Sequence, residues 1–181
     1  MTTRWAPEKR DVLRELATEL LHNYGRGRVL VAVDAAPGTP TAGFADELAE
    51  ALREQGHAAY RASTADFARP RAEGGGLDES VLRRVLVEPF RLGGSTGWQP
   101  AAWDAEADRA VEASWVTGPA DAILVVDGAE LNADALRGAW HASLWLAAAG
   151  ESRGGALRAR ATIIVDASDP EHPRRVFDDA C

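Results

Sequence analysis

Two aspartates stand at the ends of strongly apolar runs, where folding would place them at one edge of a sheet. Asp34 ends the run Val29–Asp34, and Asp127, followed by Gly128, ends a second run that begins at Ala122. A carboxylate in such a position can bind Mg²⁺ directly or through water, and it can equally cap the helix that follows. We therefore treat Asp127 as the candidate metal ligand, and Asp34 as either a supporting acid or a turn residue.

The Pro- and Gly-rich segment from Ala35 to Gly43 joins the first apolar run to a predicted helix. Ligands of open α/β sheets bind where the strands end and the next helices begin, so this loop is the first candidate for a binding site. A helix N-terminus also attracts anions weakly. In the competing interpretation, Thr39 or Thr41 is a helix N-cap and the loop only connects two elements.

The elements that would position these residues follow from the apolar spacing. The pattern predicts helices over Pro7–Asn23 and Asp78–Val87, and one after Gly43 that buries Phe44, Leu48 and Leu52. It predicts strands at 29–34, 58–63, 122–128, 143–146 and 162–166, a surface loop at 91–102 that carries Trp98, and a polar tail after Asp166. Strands separated by helices favour one doubly wound α/β domain over residues 1–181, with a parallel sheet.

Composition narrows the classes of partner. The formal net charge is −8, which disfavours nucleic acids and anionic membranes. The single cysteine, Cys181, excludes an internal disulfide and a cysteine-based zinc cluster, and a reducing compartment fits best. With no apolar run of signal-peptide or transmembrane length, we expect a cytoplasmic protein.

Several blocks of the chain, in order, resemble one family. They include Val33–Leu48, Arg61–Arg71, Ala122–Gly128 and Leu136–Trp140. These blocks resemble the uridine-kinase-like proteins of high-GC (actinobacterial) bacteria, a nucleoside-kinase branch of the P-loop NTPases. The resemblance implies a three-layer α/β/α P-loop NTPase-like sandwich with a mostly parallel sheet. It also implies ATP and Mg²⁺ as cofactors, and a nucleoside or other small alcohol as substrate.

The phosphate-binding loop departs from the family pattern G-x-x-x-x-G-K-[ST]. Its four signature positions fall on Ala35, Pro40, Thr41 and Ala42. Proline has no N–H to offer a phosphate, and the missing lysine removes a charge-assisted contact of roughly 1.5–3 kcal/mol. Ala42 offers no hydroxyl to Mg²⁺. We call this a degenerate Walker A loop.

The resemblance also assigns roles, carried over residue by residue. If nucleotide binds, its contacts are Gly38, Thr39, Thr41 and Gly43, with Asp127 as the metal ligand. The family's catalytic acid falls on Ala65, so Asp66, one position later, is the candidate base, with an exposed turn acid as the alternative. Arg69 and Asp104 are candidate substrate contacts. The family's arginine-rich lid is shortened here, with Arg153, Arg158 and Arg160 remaining.

Three hypotheses of function follow. The first is a catalytically impaired relative, a pseudoenzyme with weak or no ATP binding. The second is an active ATP-dependent kinase of a nucleoside or other small alcohol that uses Asp66 and Asp127. The third is a protein-interaction module that binds no nucleotide and forms a homodimer through the N-terminal helix or the Trp-bearing loop.

Overall fold

A computed structural model describes residues 8–151 and 155–177. Its helices are α1 (Lys9–Tyr24), α2 (Ala42–Glu54), α3 (Glu79–Leu82) and α4 (Glu88–Leu92), with a π-helical turn (Arg83–Val87) joining the last two. Its strands are β1 (Val29–Ala35), β2 (Ala58–Ser63), β3 (Trp103–Asp104), β4 (Arg109–Ala110), β5 (Ala122–Ala129), β6 (Ala142–Ala147), β7 (Ile163–Asp166) and β8 (Arg174–Val176).

The main sheet has the strand order β2-β5-β1-β6-β7-β8. All neighbouring strands run parallel except β8, which pairs antiparallel with β7. The central strands β1 and β5 are buried along nearly their whole length because helices or loops cover both faces. The predicted α/β sandwich with a mostly parallel sheet is confirmed.

One face of the sheet is covered by α1 and α2. The apolar side chains of α1 recur at helical spacing and are buried in one cluster with Phe44, Leu48 and Leu52 of α2 and with side chains of the sheet, where α2 contacts β2 and β5. Both predicted helices are therefore confirmed within two residues at the ends that the structure describes. Pro7, the predicted start of the first helix, lies outside the described residues.

The opposite face is covered by the helical segment 79–92 and by loops. The Asp78 carboxylate caps this segment by accepting a hydrogen bond from the Val81 N–H (3.0 Å). The helical segment runs five residues beyond the predicted end at Val87. The segment that carries Trp98 is irregular after Leu92, as predicted, but Trp98 itself is not at the surface: its side chain is 1% exposed and packs edge-on against Tyr60 and Phe90.

The connections on either side of β6 differ from those around α2. Between β5 and β6, and within the described part of the β6 to β7 connection, the only helical turns are short 3₁₀ turns, at Asp134–Leu136 and Arg158–Arg160. The described part of the predicted polar tail after Asp166 is mostly exposed, but it contains β8, an edge strand that the sequence did not predict. None of the helices in the described ranges is long and apolar enough to cross a bilayer.

Candidate functional site

The end of β5 lies between the ends of β1 and β2. Asp127 is paired in register with Val33 on one side and Ser63 on the other. Gly128 follows with φ +150°, and a Cβ at that position would overlap the Thr64 side chain. Glycine is therefore required for β5 to pass this close to the turn after β2, and that turn carries Asp66.

The carboxylate of Asp127 is 2% exposed and is held on both oxygens. Oδ1 accepts a hydrogen bond from Nη2 of Arg61 (2.8 Å), and Oδ2 accepts one from the Thr41 hydroxyl (2.8 Å). Arg61 also donates to Asp46 Oδ1 (2.8 Å) and to the Val125 carbonyl (2.7 Å). The guanidinium thus balances the charge of this buried acid, and the hydroxyl supplies a second hydrogen bond.

The loop after β1 forms a tight turn. Thr39 N–H donates to the Ala36 carbonyl (3.0 Å), and Gly38 has φ +88°. Proline at the first central position and a positive-φ glycine at the second are the signature of a type II turn. The N–H of Thr39 is therefore used within the loop.

Thr41 occupies the N-cap position of α2, as one interpretation of the sequence had it, but its side chain does not cap the helix. Its hydroxyl is directed to Asp127 instead. Gly43 is exposed in the first turn of α2. The loop therefore fixes the start of α2 to the end of β5 through a single side chain.

Asp66 lies in a 3₁₀ turn, Thr64–Phe67, directly after β2. Its carbonyl accepts the Ala102 N–H (2.8 Å), which holds the segment carrying Asp104 beside it. Partial burial raises the pKa of Asp66, and the negative charges of Asp127 and Asp104 raise it further. Three predicted site acids, Asp66, Asp104 and Asp127, therefore lie close enough for their charges to interact.

These acids do not form a metal cage. Within residues 8–151 and 155–177, no group of three or more His, Cys, Asp or Glu side chains converges closely enough to hold a metal ion. Asp104 Oδ1 accepts the N–H groups of Glu106 (3.0 Å) and Ala107 (2.9 Å) and so stabilises the turn between β3 and β4. The Asp104 carboxylate therefore already has a structural role in this turn.

Arg69 is directed to a different partner. Its Nη2 donates to Glu79 Oε2 at 2.8 Å, and the residue is exposed. The resemblance also predicted three arginines in a shortened lid. Of these, Arg158 is buried, Arg160 donates to the Asn132 carbonyl (3.1 Å), and Arg153 lies outside the described residues. None of the bonds described for Arg69 or Arg160 reaches Asp127.

Asp34 is fully buried at the end of β1. Oδ1 accepts the Ala35 N–H (2.9 Å) and Oδ2 accepts the Asn132 N–H (2.7 Å). Burial raises the pKa of Asp34, and these backbone hydrogen bonds partly offset that rise. Asp34 therefore anchors the loop that follows β5.

Arg61 is the site residue that sequence reasoning missed. It lies within the resembling block Arg61–Arg71, yet no role follows from its type or spacing. The available signal was a long cation within a short strand of small and apolar residues, Ala58–Ser63. A cation there needs a buried acid on a neighbouring strand.

Two solved structures are similar to this chain in fold. The chain is similar to a possible uridine kinase from Bacillus stearothermophilus, with a TM-score of 0.65 and 20% identity over 76% of this chain and 80% of that one. It is also similar to a candidate fructose transport system kinase from Silicibacter sp. TM1040, with a TM-score of 0.61 and 24% identity over 82% of this chain and 78% of that one. The likeness supports an α/β P-loop NTPase-like fold. No protein-family model and no curated protein matches the chain.

The loop after β1 is the predicted nucleotide contact, and Asp127 near the end of β5 is the predicted metal ligand. Here these two elements are bonded to each other through Thr41 and Asp127. The predicted metal ligand, Asp127, therefore has an internal cation, Arg61, on one oxygen and the Thr41 hydroxyl on the other.

Proposed function

We propose that this P-loop-kinase-fold protein is a pseudoenzyme that binds ATP weakly or not at all and acts as a binding or scaffold protein. The observation that carries the proposal is the pair of hydrogen bonds to Asp127, from Arg61 and from Thr41. An acid that binds Mg²⁺ needs at least one free oxygen facing the nucleotide. Freeing Asp127 would break its ion pair with the part-buried guanidinium of Arg61, the cation that balances its buried charge.

The loop chemistry supports the same conclusion. Pro37 and Pro40 have no N–H to aim at phosphate oxygens, and the N–H of Thr39 is already bonded to Ala36. The residues present do not fit a Mg-nucleotide of the usual kind, because Ala42 has no hydroxyl and Asp127 is neutralised by Arg61. Removing one preorganised electrostatic group costs about 10²–10³ in rate. Several such losses together leave little phosphoryl transfer.

The first test is a titration with ATP, with and without Mg²⁺, followed by melting temperature and by calorimetry. The proposal predicts no saturable binding, or binding that Mg²⁺ does not strengthen. A coupled ADP-release assay with uridine and with fructose, the substrates suggested by the names of the structural neighbours, should give no turnover above the no-enzyme rate. Tight Mg-dependent ATP binding would overturn the proposal.

A rescue experiment tests the structural reason. Ala35→Gly, Pro40→Gly, Thr41→Lys and Ala42→Thr together restore the loop pattern, but the new lysine would face the guanidinium of Arg61. We therefore expect the four changes to raise ATP affinity at least about tenfold only when Arg61→Gln is added, since one lost charge-assisted contact is worth roughly that factor. The matched control adds Arg53→Gln instead. Equal rescue with either arginine variant would show that Arg61 does not obstruct the site.

An active kinase is the second candidate, and the position of Asp66 favours it. Asp66 lies in the electrostatic field of Asp127 and Asp104, with its pKa raised toward the range useful for a general base. On this alternative, the protein turns over ATP with a small alcohol, and Asp66→Asn or Asp127→Asn abolishes the rate. Turnover that survives both substitutions would exclude Asp66 and Asp127 as its source.

A further inference from the structure

A cavity of about 400 Å³ lies beside the loop between β5 and β6. It adjoins the start of β6 and β7, on the face of these strands opposite α1 and α2. Parallel sheets are normally covered on both faces, but in the described residues the connections here contain only short 3₁₀ turns. The volume falls in the range of about 300–1,000 Å³ that is typical of small-molecule sites.

Four arginines surround the loop that borders this cavity. Arg83 donates to the Ala135 carbonyl (2.7 Å), Arg91 to the Gly138 carbonyl (2.6 Å) and Arg160 to the Asn132 carbonyl (3.1 Å). The fourth, Arg137, projects from the loop itself and is largely exposed. Such a concentration of positive charge stands out in a chain with a net charge of −8.

One carboxylate partly neutralises this cluster. Asp134 Oδ1 contacts Nη2 of Arg137 (2.6 Å) and Nη2 of Arg160 (3.1 Å). Among the residues that the structure describes, Asp134 is the only acid paired with any of the four arginines. Two guanidinium groups therefore share one carboxylate at the cavity, and the local charge remains positive.

The remaining walls combine apolar and polar groups. The Trp140 indole is fixed by its Nε1–H bond to the Leu131 carbonyl (2.7 Å) and presents a flat surface. The Ser143 N–H donates to the Thr162 hydroxyl (2.9 Å), which donates to the Ser143 carbonyl (2.9 Å). An apolar body would therefore contact Trp140 while an anionic group meets the arginines.

We propose that this cavity binds a small organic molecule that carries one oxyanion, a carboxylate or a phosphate, on a flat apolar body. Arg160 is the principal charged contact because it is the less exposed of the two arginines that line the cavity, at 37% against 72% for Arg137. Exposed charges contribute little to binding. The site is separate from Asp127 and does not depend on nucleotide binding.

Benzoate and phenyl phosphate are the probes, each titrated into the full chain while the indole N–H resonance of Trp140 is followed by NMR. The expected result is a saturable shift with at least one probe, weakened by added salt. The comparison of the two probes distinguishes a carboxylate ligand from a phosphate ligand. Absence of saturation with both would overturn the proposal.

Three variants locate the binding. Arg160→Gln should weaken the better probe about tenfold, as expected for loss of one charge-assisted contact, while Arg160→Lys retains part of the affinity. Asp134→Asn should strengthen it severalfold, because both arginines are released from their carboxylate. A merely structural role for Asp134 predicts no such gain.

The matched control is Arg69→Gln, which removes an exposed, ion-paired arginine outside the cavity lining. It should leave the affinity unchanged. Equal affinity in all variants would mean adventitious surface binding and would refute the site. Melting temperatures show whether each variant is folded. If Arg160→Gln does not fold, Asp134→Asn still tests the proposal.

Discussion

Asp34 and Asp127 lie at the ends of neighbouring strands and are both buried, but different kinds of donor hold their carboxylates. In the sheet, Asp34 is opposite Gly128, and Asp127 is opposite Val33. The Asp34 carboxylate is held by backbone N–H groups of Ala35 and Asn132, whereas Asp127 is held by the side chains of Arg61 and Thr41.

The difference in donors distinguishes a structural acid, Asp34, from the acid of the candidate site, Asp127. Backbone donors remain whatever side chains surround them, so the environment of Asp34 is fixed by the fold itself. The environment of Asp127 depends on two side chains: a change at Arg61 alters the charge beside this predicted metal ligand, and a change at Thr41 alters one of its hydrogen bonds. The hydrogen bonds at the end of β1 therefore belong to the fold, whereas those at the end of β5 can be changed by substituting a side chain.

The largest expected effect comes from breaking the side-chain network. Arg61→Leu leaves Asp127 buried and without its cation, and it should lower the free energy of unfolding by about 3–5 kcal/mol, the usual cost of removing one partner of a buried ion pair. Urea denaturation measures this. Adding Asp127→Asn should recover part of the loss, since no charge is then left unpaired.

Arg53→Leu is the matched control for Arg61→Leu. Arg53 also donates to a β2 carbonyl, Ala59, and pairs with an acid on α2, Glu50, but its side chain is 43% exposed. Its removal should cost less than about 1 kcal/mol. Equal losses at Arg53 and Arg61 would contradict a special role for burial at Asp127.

The backbone-held acid should give the next largest effect. Asp34→Asn replaces one accepting oxygen by an NH₂ group that cannot accept either backbone N–H, so one buried donor is left unpaired. The expected loss is about 1–3 kcal/mol in the free energy of unfolding. Hydrogen exchange at the Asn132 N–H, measured by NMR, should speed up selectively. Unchanged exchange there would mean that Asp34 does not anchor this loop.

The hydroxyl of Thr41 should contribute less, because it is a single hydrogen bond between side chains. Thr41→Val keeps the shape and should cost about 1 kcal/mol in denaturant unfolding. Thr41→Ser, which keeps the hydroxyl, should retain most of that stability. A Val variant as stable as the Ser variant would remove Thr41 from the network around Asp127.

The sequence predicted the central sheet well because three of its strands are short apolar runs that end at Asp or Asp-Gly. Ala58–Ser63 was predicted to the residue, and the run ending at Gly128 to within one residue. Trp98 was misplaced because its Gly-rich surroundings resemble a surface loop, while the aromatic contacts that bury it come from distant residues. Strand β8 was missed because an edge strand of three partly exposed residues has little apolar pattern.

The candidate site was harder to predict than the fold. Asp127 was placed correctly at the strand end because burial and a following glycine mark that position. The partners of Asp127 could not be predicted, since Arg61 and Thr41 lie far from it in sequence and a hydroxyl or guanidinium carries no periodic signal. Side-chain pairing across strands depends on register, and register is fixed only by the folded sheet.

A last prediction concerns Asp66, whose pKa is raised first by burial and then by the charges of Asp127 and Asp104. Asp104→Asn removes one of those charges and keeps an oxygen that can accept the Glu106 and Ala107 N–H groups. The pKa of Asp66 should therefore fall, measured by carboxyl ¹³C NMR, but not to its usual value because burial remains.

The sign of the accompanying stability change follows from the same shift. A carboxyl whose pKa is higher in the folded state binds its proton more tightly there, so its contribution favours folding at low pH and is lost as pH rises through the native pKa. Asp104→Asn should narrow that window, whereas the remote Asp134→Asn should leave it unchanged. An unchanged or higher pKa for Asp66 in Asp104→Asn would show that the charge of Asp104 does not act on Asp66. The network around Asp127 would then consist of Arg61, Thr41 and Asp127 alone.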